Sequence, residues 1–318
     1  MRRDGKLWQI GRRLAPLTSR DPRPDWEQAD PALIANASRR AQSRPGGGWC
    51  VVDASRTVSS EPRKITLVGR DWVLWRGREG PLLAPNRCPH MGAELHCGRV
   101  EAGALVCPWH GLRLGKEGHQ AWRPVPTYDD GVLVWARLLR DEEPTERPVE
   151  TARPERALTG VVRMEATCEP EDIVANRLDP WHGAHYHPHS FAKLEMIDVT
   201  PDVLRLRVSY RVAGPFCVEV DCTFRSPTRR SILMEITDGD GRGSVVETHA
   251  TPIGEGRSAV IEATIATSDR TGFAIARRFG PLLRPFVEQR AARLWREDVA
   301  YAERRYALRS GSKGKSAQ

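Results

Sequence analysis

Residues 88–114 read CPHMGAELHCGRVEAGALVCPWHGLRL, and the rest of the chain is best understood outward from them. They contain Cys88-x-His90, sixteen intervening residues, and then Cys107-x-x-His110. Each half sets one thiol and one imidazole inside a tight turn. Such a donor set can close a tetrahedral zinc site. It also suits a [2Fe–2S] cluster on which two imidazoles replace two thiolates at one iron. Gly92 and Gly111 follow the donors in both halves. A missing Cβ there lets backbone N–H groups approach and donate to cluster sulfurs, which favours the cluster.

From Trp49 to about Arg137 the chain resembles the Rieske family. The resemblance rests on DWVLWRG at 71–77, the first donor loop, the Gly98-Arg99-Val100 turn and the second donor loop. It implies a small all-β domain whose [2Fe–2S] cluster is held by Cys88, His90, Cys107 and His110. Cys97 reads as a free thiol, because the second loop has Trp109 and no cysteine to pair with it. His96 and His119 read as ordinary loop residues. Cys50, Cys168, Cys217 and Cys222 lie in strand patterns and read as small buried hydrophobes. Seven cysteines, an odd number, argue against a disulfide framework.

Composition bounds the remainder. The 318 residues are 28% charged and 40% hydrophobic, which points to a folded protein of about two domains. No run approaches the roughly 18 apolar residues of a membrane span. Lys plus Arg is 49 against 41 Asp plus Glu, a formal charge of +8. The basic pairs, such as Arg12-Arg13 and Arg229-Arg230, are scattered without interleaved aromatics, so nucleic-acid binding is not expected. A basic face that receives an acidic protein partner is the better reading. The basic start, MRRDGKLWQIGRRLAPL, has no apolar run of signal-peptide length, which leads us to expect a cytoplasmic protein.

Residues 1–46 form a polar N-terminal extension with one helical patch, Trp26 to Gln42. Short strands follow at Trp49 to Asp53, Lys64 to Val68, Trp72 to Trp75, Pro81 to Pro85 and Gly131 to Arg137. They place a first domain at 47–140. Residues 141–156, rich in Glu, Pro and Arg, read as a linker. Beyond it come seven longer strand patterns between Gly160 and Thr267, many alternating as a sheet with one covered face requires. A helical pattern runs from Pro285 to Leu308, with Val287, Ala291, Leu294, Asp298 and Tyr301 on one face. The second domain is thus 157–308, and 309–318 reads as a disordered tail.

Within the second domain, residues 176–188 read NRLDPWHGAHYHP. Four histidines, 182, 185, 187 and 189, fall within eight residues of a chain that holds nine in all. A His-rich surface loop is one reading. A 2-His-1-carboxylate iron site is the other. The segment resembles the N-x-x-D-x-x-H-x-x-x-x-H motif of Rieske non-haem iron oxygenases, the ring-hydroxylating α-subunit type. Asn176, Asp179, His182 and His187 fall on its positions in order, and His185 and His189 are off register. The resemblance implies that His182 and His187 bind a mononuclear Fe(II), with Asn176 nearby and Asp179 bridging to a cluster histidine of a neighbouring subunit. The third ligand is expected on the last long helix. Asp298 is the candidate, because a carboxylate on an apolar stripe needs a partner or a metal. Glu297 is the second choice, and an ordinary ion pair of Asp298 with an Arg is the alternative.

The family resemblance further implies an α+β architecture: the Rieske domain, then an antiparallel-sheet helix-grip (START-like) domain closed by a long C-terminal helix. It implies a homotrimer that takes electrons indirectly from NAD(P)H, through a ferredoxin or flavin reductase. Its expected chemistry is hydroxylation, O-dealkylation or desaturation of a hydrophobic aromatic, steroid or isoprenoid with O2, as in the homomeric monooxygenase, O-demethylase and ketosteroid-hydroxylase-like branch. The rival reading is a Rieske electron-transfer or ligand-binding protein without a functional mononuclear iron. Two features depart from the pattern: HGLRL lacks the usual aromatic after its glycine, and His185 and His189 are extra. Neither removes a ligand.

Overall fold

The computed structural model describes residues 8–9, 15–16, 24–213 and 216–315. Its first regular element of any length is α1 (Pro31–Gln42). Asp30 caps it: Oδ1 accepts the N–H of Ala32 at 2.9 Å and of Leu33 at 3.1 Å, while Pro31 needs no partner in the first turn. The break at Asp30 and Pro31 divides the expected helical patch, leaving only Asp25–Gln28 as a helix ahead of it.

Three small antiparallel sheets form the next unit. They comprise β1 (Trp49–Ala54), β2 (Arg63–Leu67), β3 (Arg70–Arg76), β4 (Pro81–Pro85), β5 (Arg99–Glu101), β6 (Ala104–Val106), β7 (Arg113–Leu114), β8 (Thr127–Asp129) and β9 (Leu133–Arg137). The sheet orders are β8-β9-β1, β2-β3-β4 and β5-β6-β7. Trp75, Leu95, Leu105 and Leu114 are fully buried beneath the two donor loops. Burial of large apolar side chains contributes roughly 1.5–3 kcal/mol each, so this core holds the loops in place.

The second unit is one large antiparallel sheet. Its strands are β10 (Leu158–Ala166), β11 (Phe191–Val199), β12 (Leu204–Ala213), β13 (Phe216–Thr228), β14 (Ser231–Gly239), β15 (Val245–Gly254) and β16 (Arg257–Ala266). They lie in the order β10-β16-β15-β14-β13-β12-β11, and Trp8–Gln9 adds a short parallel pairing beside Phe216 and Cys217. Between β10 and β11 the chain forms α2 (Pro170–Arg177) and α3 (His182–Tyr186). After β16 come α4 (Thr271–Arg278) and the long α5 (Gly280–Lys315). Trp295 and Ala302 of α5 share a core with Ile173 and Val174 of α2 and with Val208, Val220 and Ile232 of the sheet. This is the α+β arrangement expected: small β domain, then antiparallel sheet, then long closing helix.

Two boundaries differ from expectation. The last helix begins at Gly280 rather than Pro285, because Pro281 takes the first-turn position that favours proline and Pro285 is tolerated inside. It also continues to Lys315, so residues 309–315 are helical instead of a disordered tail. Arg309 reaches Asp172 at 2.8 Å and Glu171 at 2.5 Å, tying the late turns to α2. Residues 316–318 lie outside the described set.

Residues 141–156 carry no regular element, yet they are pinned at both ends. Glu142 accepts the N–H of Gly46 at 2.6 Å and pairs with Arg230 of the large sheet. Arg153 joins the two units. Its guanidinium donates to Glu247 of β15 at 2.6 and 2.7 Å and to Asp130, beside β8, at 3.0 Å. An apolar cluster of Trp49, Leu133 and Trp135 with Leu233, Ile253 and Ile261 completes the contact. Burial pushes the Glu247 carboxyl up, but Arg153 and His249 outweigh it and hold it well below the ordinary range. Removing Arg153 therefore leaves a buried anion with only Thr151 and His249 beside it.

Arg153→Ala should lower stability by about 3–5 kcal/mol in urea unfolding at pH 7. Glu247 has a depressed folded-state pKa, so its contribution exists above the unfolded value of 4.5 and fades as pH falls below it. The gap between wild type and variant should consequently narrow on acidification. A gap independent of pH would contradict this assignment.

Candidate active site

Helix α2 starts at a reciprocal cap in which Glu169 and Asp172 each serve the other's backbone. Its last turn delivers Asn176, which is wholly buried. Pro180 then disfavours helical backbone at Asp179, and the chain turns before α3. His182 opens α3, and His187 follows its last residue just ahead of Pro188. From the other side α5 brings Glu297, Asp298 and Tyr301.

These residues converge on one carboxylate. Asp298 Oδ1 lies 2.8 Å from His187 Nε2, 3.1 Å from His182 Nε2 and 3.1 Å from the Asn176 amide nitrogen that donates to it. The ligand-type atoms of His182, His187 and Asp298 all sit within 4.8 Å of one another, close enough for a single ion to touch all three. Asp298 and His187 are each 1% exposed. Two imidazoles and a carboxylate in a dry setting fit the donor chemistry of a non-haem iron. The alternative of an Arg partner for Asp298 does not occur here, because the histidines and Asn176 surround it.

The outer nitrogens of both rings face carboxylates. His187 Nδ1 lies 2.5 Å from Glu297 Oε2, and His182 Nδ1 lies 3.6 Å from Asp179 Oδ2. Glu297 thereby holds a proton on His187 Nδ1 and leaves its Nε2 lone pair for the centre, while Asp179 stands beside His182 Nδ1 without bonding to it. Asp179 in turn accepts the Tyr301 hydroxyl at 3.0 Å and the Trp181 N–H at 3.2 Å. Burial raises the Asp298 carboxyl, but the two histidines outweigh it and keep it below the usual range. Burial lowers His182, yet Asp179 and Asp298 lift it to about 9. A cation binding at the centre would replace that proton.

Asn176, Asp179, His182, His187 and Asp298 are thus brought together. His185 is exposed on α3 and points elsewhere. His189 stays near Glu297, at 3.8 Å, without joining the trio. Glu297 is the residue whose part the sequence did not convey: it stands beside the centre and holds His187. Glu297→Ala should weaken Fe(II) retention by about 10–100-fold while leaving the fold intact, measured by iron content after graded chelation. Unchanged retention would show that His187 needs no such support.

In the β unit, Cys88 and Cys107 are buried while His90 and His110 are exposed, their rings 4.9 Å apart and at 79°. Burial pushes the Cys88 thiol up, countered by the backbone N–H groups of His90 and Met91 directed at its sulfur. Gly92 and Gly111 have φ of +82° and +74°, where a side chain is strained. Two inner sulfurs and two outer imidazoles on paired turns fit a Rieske cluster. Elsewhere in the unit Glu94, His96 and Cys97 also approach one another, but Glu94 already faces Lys64. None of the described cysteines forms a disulfide.

Comparison with known proteins now bears on this geometry. Residues 48–130 match the Rieske [2Fe–2S] domain, and residues 139–313 match the family described as domain of unknown function DUF5914. The chain belongs to the DUF5914 family and carries a Rieske [2Fe–2S] domain ahead of it. Aminopyrrolnitrin oxygenase of Pseudomonas fluorescens is 37% identical over 93 residues, 29% of this chain and 26% of that protein. The vanillate O-demethylase oxygenase subunit of Pseudomonas sp. (strain HR199 / DSM 7063) is 28% identical over 187 residues, 54% of this chain and 51% of that protein. The chain therefore spans only about a quarter to a half of the length of these curated relatives. Its fold is similar to that of dicamba monooxygenase crystallised with dicamba, at a TM-score of 0.66 and 18% identity, covering 86% of this chain and 90% of that one. Among the described residues no helix is long and apolar enough to cross a membrane.

Proposed function

We propose that this chain is the terminal oxygenase component of a Rieske system. The convergence of His182, His187 and Asp298, in the same chain as a Rieske domain, carries the reading. In it, Cys88, His90, Cys107 and His110 hold the [2Fe–2S] cluster within a domain spanning 47–140. His182, His187 and Asp298 hold Fe(II) within a catalytic domain spanning 157–308. When bound, the cluster supplies one-electron transfer and the iron supplies O2 activation.

The chain's own residues prepare that centre. Glu297 fixes the tautomer of His187, Asp179 places a negative charge beside His182, and Asn176 orients Asp298 through its amide. Tyr301 steadies Asp179 by donating to it. Asp179 also lines a groove of about 860 Å³ with Tyr186, Tyr301, Leu308 and Ile34. The exposed His110 and Trp109 of a neighbouring copy suit that groove, and we assign Asp179 the bridge between them in a homotrimer. A ferredoxin or flavin reductase, drawing on NAD(P)H, is the electron donor in this reading, and cysteines without disulfides suit a reducing, cytoplasmic setting.

The substrate class we assign is a hydrophobic aromatic, steroid or isoprenoid. Incubation with a surrogate ferredoxin and reductase, O2 and a panel from these classes tests it. The expected result is an oxidised product whose formation stops when Fe(II) is stripped and returns when it is restored. NAD(P)H oxidation unaffected by Fe(II), with no product across the panel, would return the chain to electron transfer.

A further inference from the structure

A stripe on the far end of the closing helix has no part in the chemistry above. Ile275, Phe279, Leu282 and Phe286 are 64%, 52%, 69% and 70% exposed. Their spacing of four, three and four is that of one helical face. Hydrogen bonding keeps this phase through the junction of α4 and α5, since the N–H of Phe279 donates to Ile275 O and that of Leu283 to Phe279 O. Large apolar side chains gathered in one exposed line mark a contact surface.

Charge says what covers it. From Arg270 to Val287 there are four arginines and no acidic residue. Arg284 turns inward to Thr159 O and Arg270 pairs with Asp240 at 2.6 Å, whereas Arg278 is exposed on the flank of the stripe and Arg277 is exposed on the other side of the helix. A two-fold contact of this face with a second copy would set the Arg278 side chains against each other, and no acidic residue between 270 and 287 answers them. An anionic bilayer satisfies both halves, taking the apolar side chains below the headgroups and the guanidiniums among them.

We infer that α4 and the start of α5 form a monotopic docking site for an anionic membrane surface. Phe286 lies twelve residues before Asp298 on one helix, about 18 Å along its axis at ~1.5 Å per residue. The docked face therefore sits at the opposite end of α5 from the groove at Leu308, leaving that groove open.

Co-sedimentation of the full protein with phosphatidylcholine vesicles, with and without phosphatidylglycerol, tests the site. Binding should require the anionic lipid and weaken with salt. The paired substitution Phe279→Ser and Leu282→Ser should cut partition by at least about tenfold, with an unchanged visible spectrum and circular dichroism. Arg278→Glu should also reduce it. Equal sedimentation with and without anionic lipid, or binding indifferent to these substitutions, overturns the proposal. So does a drop in oligomer mass in the serine variant without any change in vesicle binding, which would give the stripe to a second copy.

Discussion

Asp298→Ala should leave the [2Fe–2S] spectrum intact while iron per chain falls by about one and turnover drops more than about 100-fold. Asp298 Oδ1 is the common point of His182, His187 and Asn176, at 3.1, 2.8 and 3.1 Å. No other carboxylate can take that place, because Glu297 already faces the outer nitrogen of His187. The substitution therefore removes the one anionic donor and leaves two imidazoles facing each other in a buried space, which cannot retain a divalent ion. The cluster donors belong to another core and should not respond. Metal analysis with absorption spectroscopy checks both halves. Retained iron would remove Asp298 from the ligand set.

Asp179→Asn should keep all the iron yet slow turnover by about 100-fold. The amide oxygen can still accept the Tyr301 hydroxyl, so the local fold and the position of His182 survive. Its lost charge matters at the outward side, where Asp179 meets the groove assigned to a neighbouring copy's cluster. A purely structural role would show as lost iron or lost fold. An electron-path role shows instead as slow reoxidation of the reduced cluster in a single turnover with substrate and O2. Reoxidation at the wild-type rate would contradict the bridging assignment.

Much of this geometry was legible because it is local. The paired Cys/His turns, with Gly92 and Gly111 in left-handed backbone, are complete within 27 residues. The spacing from Asn176 through His182 to His187 singles out two histidines of four, and the structure brings those two together while His185 faces outward. Asp298 was legible for a different reason: a carboxylate on an apolar helical face stands out even when the helix ends are misplaced. Trp295 was not, because the apolar stripe drawn from Val287 to Tyr301 misses it, although it is fully buried and donates to Glu262 at 2.8 Å.

What escaped depends on long-range partners. Glu297 is oriented by His187, 110 residues away, and no local pattern announces that. The Ser/Gly/Lys composition after Arg309 reads as coil, yet Arg309 is held by Asp172 on α2 and the helix persists. Glu142 and Arg153 lie in a stretch whose Pro and Glu content suggests a loose linker. Their partners, Arg230 and Glu247, come from the large sheet and make it a clamp instead.

We hold that one chain carries both a Rieske cluster and a separate iron. Total iron and acid-labile sulfide per chain, on anaerobically purified protein with reduced-state EPR, tests it most directly. About three irons and two sulfides with a Rieske-type signal are predicted. About two irons and two sulfides, with no uptake of further Fe(II) and no change on His182→Ala, would contradict the account.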